Sequence, residues 1–227
     1  SYRKIRNTLR FLLGNLNNFN KQNLVDPEEM PELERYLLTR ISSLNEKLKE
    51  LVSKHDYHAI YTALLNFCTL ELSAFYFDIR KDSLYCDDIK SLKRRSTSTC
   101  LHIIFEFLTK WLSPIVSFTC EEAWKSRSYS NEESILLQNV KDDEFTYKDI
   151  SLEKVFEELK RVRKSVTSAL ELKRNEKLIG SSLQAKVILF LSKDTQKIIA
   201  DLDLAEMCIV SNVETHDISN RSAESIS

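Results

Sequence analysis

The sequence predicts a mainly α protein: an antiparallel helix bundle followed by a small α+β unit. Three observations carry this expectation. Glycine occurs only twice, as Gly14 and Gly180, and proline three times against 30% charged residues, which disfavours a sandwich of short strands and tight turns. Apolar residues recur at three- and four-residue spacing through the first two thirds of the chain, the period of a helix with one buried face. Beyond about position 185 the pattern changes to short apolar runs of strand type. With 227 residues and 42% hydrophobic content, the chain can bury one or two cores.

In the opening helix Ile5, Leu9, Leu12, Leu13, Leu16 and Phe19 share a face, and "NNFNKQN" ends it. Pro31 suits the first turn of a second helix, whose Leu33, Leu37, Ile41, Leu44, Leu48 and Leu51 keep the period to about Lys54. The third segment, "YHAIYTALLNFCTLELSAFYFDIRKD", is apolar on almost every side and is expected to be the most buried helix. A fourth helix runs from about Lys90 to Leu112, basic at "KRR" and apolar at Leu101, Ile104, Phe105, Leu108 and Trp111, with Trp111 expected in the core. Pro114 stops it, because proline lacks the amide donor and clashes with the preceding turn. A short helix restarts at "TCEEAW", where Thr119 and Glu122 have capping-box spacing.

From Lys125 to Asp149 periodicity fades, and "SILL" reads as one extended strand in a long connection. Ser151 is placed to cap a fifth helix reaching about Arg174. The strand-like runs "AKVILFL" and "MCIVSNV" flank an amphipathic helix around "TQKIIADL", and both strands are expected in one sheet, with "SILL" a candidate third. The tail "SNRSAESIS" has no apolar period and reads as disordered. The resulting domain expectation is a bundle over 1–128, a connection over 129–150, an α+β unit over 151–218 and a tail over 219–227.

Two glycines exclude the glycine-rich phosphate loops of nucleotide enzymes. The five cysteines, Cys68, Cys86, Cys100, Cys120 and Cys208, form no CxxC pair and read as free thiols in a reducing compartment. No apolar run reads as a membrane span, so the expected location is cytoplasmic, or organellar after processing. His55, His58, His102 and His216 lack metal-ligand spacing, and no nucleophile–base grouping can be picked out, so no catalytic residue and no metal ligand is assigned. The pair Glu121 and Glu122 reads as charge near a helix N-terminus.

The net charge of −1 disfavours a generic nucleic-acid binder, yet three clusters are basic against that background. One is Arg3, Lys4, Arg6 and Arg10; the second is Arg80, Lys81, Lys90, Lys93, Arg94 and Arg95; the third is Lys160, Arg161, Arg163, Lys164, Lys173, Arg174 and Lys177. Single exposed cations are ordinary solvated residues, but cations clustered on adjoining helices attract phosphate. Three cations opening the fourth helix oppose its dipole, which core packing does not explain. Tyr2 and Tyr85 lie near these clusters and are candidates to stack on unpaired bases.

The segments "YRKIRNTLRFLLGNL", "NFCTLELSAFYFDIRKDSLYC", "WLSPIVSFTCEEAW" and "KLIGSSLQAKVIL" occur in the order found in isoleucyl-tRNA synthetases of the bacterial or organellar type, which the chain resembles from about Tyr2 to Leu191. Valyl and leucyl relatives share the helical architecture but not "KIRNT" followed by "FLLGNL". The resemblance implies a bundle of the class I synthetase anticodon-binding type, then an α+β junction region. The ATP-binding signatures and the inserted editing domain of that family are not in this sequence, so the resemblance implies a non-catalytic C-terminal fragment of an ATP-dependent ligase. It implies no cofactor in this fragment and ATP and magnesium in a separate catalytic domain; bacterial members often end in a cysteine-rich zinc module, which with no CxxC pair here is either truncated away or missing. The implied partners are the isoleucine tRNA and the catalytic domain of the same polypeptide, with no membrane and a monomeric state. The implied tRNA-facing residues are Arg3, Arg6, Arg10, Arg80, Lys81, Lys93, Arg94, Arg95, Lys160, Arg163, Lys164 and Lys177. A sister synthetase fragment, most plausibly valyl, and a helical protein-interaction module are the alternatives.

Overall fold

Five helices carry the predicted apolar stripes of the first two thirds of the chain: α1 (Tyr2–Asn15), α2 (Glu32–Ser53), α3 (Tyr57–Cys86), α4 (Leu92–Leu112) and α5 (Ser117–Lys125). The structure is a computed structural model that describes residues 1–128, 133–138 and 146–220. The chain divides into two compact units, Ser1–Asp149 and Ile150–Ser227. In the first, α1 packs on α3, α4 and α5, and α2 packs on α3 and α4. Ile5, Leu9, Leu12 and Leu16 are buried, as the spacing of α1 requires.

Helix α3 departs from expectation. By length and composition it is apolar enough to cross a membrane, contrary to the sequence reading, yet 44% of its most apolar window is buried inside the protein. Leu70 is 63% exposed and Tyr57 is exposed too, so α3 is not the most buried helix. That place belongs to α4, where Cys100, Leu101, Ile104, Phe105, Leu108 and Leu112 are all fully buried and small Ser96, Thr97 and Thr99 let neighbours approach. The middle of α3, Phe67–Tyr76, is a π-helix, whose wider turn changes the facing of side chains. Three consecutive aromatics, Phe75, Tyr76 and Phe77, are buried there, an arrangement that a single α-helical stripe does not give.

A buried ion pair ties α2, α3 and α4 together. The Arg80 guanidinium donates through Nε to Glu34 Oε1 at 2.7 Å and through Nη2 to Oε2 at 2.7 Å, while Tyr76 and Thr97 hydroxyls donate to Oε1 at 3.0 and 3.2 Å. Both charged side chains are essentially inaccessible, at 1% and 0%. Burial, reinforced by Cys100 and by the Glu34 carboxylate, pushes the Tyr76 phenol well above its ordinary value, so it remains a donor.

Several local expectations are corrected. Pro31 is the residue before α2 rather than inside its first turn. Thr119 and Glu122 do not form a capping box: α5 starts at Ser117, Thr119 Oγ1 bonds the Tyr2 hydroxyl at 2.8 Å, and Glu122 pairs with Arg6. Glu121 and Glu122 are therefore tertiary ligands rather than terminal charge, since Glu121 accepts from Ser134 Oγ and Ile135 N at 2.9 and 3.1 Å. "SILL" is a 3-10 turn at Ile135–Leu137 that buries Ile135, not a strand. Ser151 lies within the first turn of the next helix, not before it. Trp111 is half-buried, with Nε1 donating to Asn45 Oδ1 at 2.9 Å. The large core indole is Trp124, 1% exposed, with the Arg127 guanidinium 3.3 Å over its ring.

The second unit contains α6 (Ile150–Asn175), β1 (Lys186–Leu191), α7 (Lys193–Ile198), α8 (Leu204–Cys208) and β2 (Asn212–Asp217). The strands pair in parallel, Lys186 opposite Asn212 through Leu191 opposite Asp217. The predicted second strand is thus displaced: "MCIV" closes α8 and its turn, with Ile209 left-handed at φ 56°, and "NVETHD" forms the strand. Met207, Cys208 and Val210 are buried, which their apolarity required without requiring a strand. Residues 221–227 of the expected tail lie outside the described residues, while Ile218–Asn220 forms a 3-10 turn.

Arg80→Met leaves the Glu34 carboxylate buried without its counter-charge, so urea melts are expected to show a loss of about 3–5 kcal/mol. Trp124→Ala is expected to cost about 3–5 kcal/mol and Trp111→Ala about 1–2 kcal/mol by the same measurement, an order opposite to a core placement of Trp111.

Candidate nucleic-acid interface

Burying Ile5, Leu9 and Leu12 leaves Arg3, Lys4, Arg6 and Arg10 exposed on the rest of α1. Arg6 grips Glu122 of α5 with two hydrogen bonds, at 2.9 and 3.2 Å, and Tyr2 beside it bonds Thr119. The Thr119 and Arg6 hydrogen bonds lower the Tyr2 phenol from its ordinary value. Tyr2 is therefore engaged in holding α1 to α5 rather than offered as a free stacking platform. Arg3, Lys4 and Arg10 form no salt bridge among the described residues and keep their charge for a partner.

The second cluster loses one expected member. Arg80 belongs to the buried pair with Glu34 and reaches no surface. Lys81 is exposed and lies 3.5 Å from Asp78. Arg94 is fixed by donating from Nη1 to the Asp87 carbonyl at 2.5 Å, just past the end of α3. The Arg95 guanidinium, half-buried, has no side-chain partner among the described residues, and Lys93 is half-buried one residue before Arg94.

Arg94 and Arg95 border a cleft of about 200 Å³ that the sequence reading missed. One wall is the turn after α1, with Asn17, Asn18, Phe19 and Asn23; the other is the α3–α4 junction, with Tyr85, Ile89, Arg94 and Arg95. Tyr85 is 66% exposed. The turn is pinned from below by Val25 N donating to Thr99 Oγ1 at 3.2 Å and by Phe19 stacked on His102 at 4.7 Å. A second, more open cleft of about 510 Å³ contains Arg6, Arg10 and Glu122 and shares Gly14 and Asn17 with the first. A Cβ on Gly14 would meet nothing within 4 Å, so this glycine borders open space rather than a tight contact. The run of asparagines in "GNLNNFNKQN", which on sequence grounds only ends a helix, is the signal that points to it.

The third cluster lies in the second unit. Arg161 pairs with Glu158 at 2.8 Å, Arg174 with Glu171, and Lys173 with Glu176 at 3.4 Å. Arg163 turns inward and donates to the Met207 carbonyl, so it serves the unit's own packing. Lys164 and Lys177 are exposed, Lys177 in a left-handed turn at φ 58° after α6, and Lys160 is half-buried. Much of this charge is neutralised along the helix by partners three residues away.

Among the described residues no group of His, Cys, Asp and Glu can hold a metal. All five cysteines are free thiols, and burial pushes those of Cys68 and Cys120 up to about 12, which makes them poor nucleophiles.

The fold and its surface define a helical binding domain with a cationic, amide-rich end. The family model described as the anticodon-binding domain of tRNA ligase matches residues 34–189, and the chain belongs to that family. Relatives include the isoleucine–tRNA ligase of Pelagibacter ubique, 46% identical over 219 residues, covering 95% of this chain and 24% of the relative. Those of Gluconobacter oxydans and Ruegeria pomeroyi are 41% and 40% identical, each covering 94% of this chain and 22% of the relative. The chain thus spans about a quarter of the length of the relatives it matches.

His102, under the asparagine turn, makes this end of the bundle sensitive to acid. Burial first, then the charges of Lys21, Arg127 and Lys110, lower its pKa to about 4, although Glu106 Oε1 lies 3.8 Å away. The unfolded chain binds this proton near pH 6.5 and the folded chain only near 4, so stability is full above 6.5 and falls as pH drops through that window. Between pH 7 and 5 urea melts should show about 2 kcal/mol lost through this residue, a loss that His102→Gln removes.

Proposed function

We propose that this chain is the anticodon-side RNA-binding region of an isoleucine–tRNA ligase. The parent enzyme uses ATP to join isoleucine to its tRNA in a catalytic domain elsewhere on the same polypeptide, and this region holds the far end of that tRNA. ATP and magnesium then belong to the catalytic domain, zinc to a separate module, and neither to this fragment. The enzyme acts as a cytoplasmic monomer. The observation that carries the reading is the end of the bundle where Arg94 and Arg95 of α4 border the amide-lined cleft and Arg10 of α1 borders the adjoining one, within a chain whose relatives bear that name.

Phosphate contacts from Arg3, Arg10, Lys81, Lys93, Arg94 and Arg95 would set register and orientation, while base contacts supply choice of tRNA. Arg6 serves both its Glu122 contact and the rim of the larger cleft. Lys160, Lys164 and Lys177 are the candidates on the second unit.

The test is filter binding of the 227-residue chain to isoleucine and valine tRNA transcripts between 50 and 200 mM salt. The expected result is preference for the isoleucine tRNA, with affinity falling linearly on logarithmic axes by about 0.7–0.9 per phosphate contact. Isoleucine-dependent exchange of pyrophosphate into ATP is expected to stay at background. Preference for the valine tRNA would move the chain to the sister synthetase, and absence of salt-dependent RNA binding would overturn the reading.

A further inference from the structure

We propose that the smaller cleft receives one unpaired base of the bound RNA. Tyr85 stacks on its face, the amides of Asn17, Asn18 and Asn23 read its edge, and Arg95 holds the adjoining phosphate. This inference rests on the tRNA-binding reading above.

The asparagines around the cleft divide into two groups. Asn15 Nδ2 donates to the Phe11 carbonyl at 2.9 Å and Asn20 Oδ1 accepts from Gln22 N at 2.9 Å, so these two build the wall. The side-chain amides of Asn17, Asn18 and Asn23 have no hydrogen bond among the described residues, and all three border the cleft. An amide offers two donors and an acceptor, which matches a base edge better than a phosphate, an acceptor-only group. The cations are divided in the same way: Arg94 is fixed on the Asp87 carbonyl and defines the rim, whereas Arg95 is uncommitted.

Size and polarity decide between occupants. A volume of about 200 Å³ falls below the roughly 300–1,000 Å³ that encloses a whole small molecule, and suits one planar ring system with sugar and phosphate outside. A protein partner would favour an apolar centre, but five asparagines line this cleft beside Tyr85 and Ile89. The neighbouring cleft is larger and holds Arg10, yet the Glu122 carboxylate stands in it paired to Arg6 and disfavours a phosphate there. Single-stranded RNA is recognised by this combination of aromatic face, edge hydrogen bonds and flanking cation. Adenine presents on its N6/N7 edge a donor–acceptor pair that an asparagine amide meets with two bonds, and adenine is the occupant tested.

The experiment measures affinity of the chain for an isoleucine tRNA transcript and for transcripts with each anticodon-loop adenine replaced in turn. The unaltered chain should lose roughly tenfold or more at one replaced position. Asn18→Ala with Asn23→Ala should abolish that discrimination while binding the replaced transcript as the unaltered chain does. Tyr85→Leu should weaken binding roughly tenfold. Arg95→Gln should weaken all transcripts equally and lower the salt slope by about 0.7–0.9. These side chains make no hydrogen bond or ion pair among the described residues, so thermal melts of the variants should stay close to the original. If the unaltered chain binds tRNA but the variants change neither discrimination nor affinity, the cleft assignment is overturned and the tRNA reading stands. If the unaltered chain binds no tRNA, the reading beneath it falls as well.

Discussion

The buried pair of Glu34 and Arg80 is the constraint on which the first unit turns. Removing both charges from water costs several kcal/mol for each, and their attraction offsets this only with good geometry and filled hydrogen-bonding capacity. Here the pair is bidentate, and Tyr76 and Thr97 donate to the same carboxylate, so one acidic side chain receives bonds from two other helices. The π-helical stretch that ends at Tyr76 sets which side of α3 faces α2, and Arg80 follows one turn later. Fixing Arg80 and Thr97 together fixes the short α3–α4 junction between them, and with it Tyr85, Asp87, Arg94 and Arg95. A buried polar network that supports packing also places the groups of the cleft.

Charge is used differently in the two units. In the first, α1 presents Arg3, Lys4 and Arg10 without ion pairs among the described residues, while Arg6 is committed to Glu122. In the second, Arg161, Lys173 and Arg174 meet acidic partners three residues away, contacts of the kind worth little to stability but enough to lower local potential. Nearly equal totals of acid and base therefore conceal a surface whose uncommitted cations concentrate at particular places. That distribution suits the RNA binding proposed for this chain, because phosphate attraction depends on local field rather than net charge.

The helical architecture was legible because its evidence is local: period in α1, α2 and α4, scarcity of glycine, and proline at Pro114. Elements whose identity depends on partners distant in sequence were not. "SILL" and "MCIV" are apolar enough for strands, but each buries its apolar residues from a turn or short helix, and composition cannot tell these apart. Arg80 looked like a surface cation because Glu34 is forty-six residues away. The signal was present, since Glu34 stands in helical register with the buried Leu38 and Ile41, where a carboxylate needs a buried partner. The basic clusters could be found from sequence alone. The cleft could not, because it forms where a turn at Asn17–Asn23 approaches a helix start some seventy residues later.

Ribonuclease footprinting of an isoleucine tRNA with the unaltered chain tests most directly whether this end of the bundle meets an anticodon loop. Protection confined to the anticodon stem and loop, lost as salt is raised, is the expected result. Protection centred on the acceptor stem, or none at concentrations where the chain is folded, would contradict it.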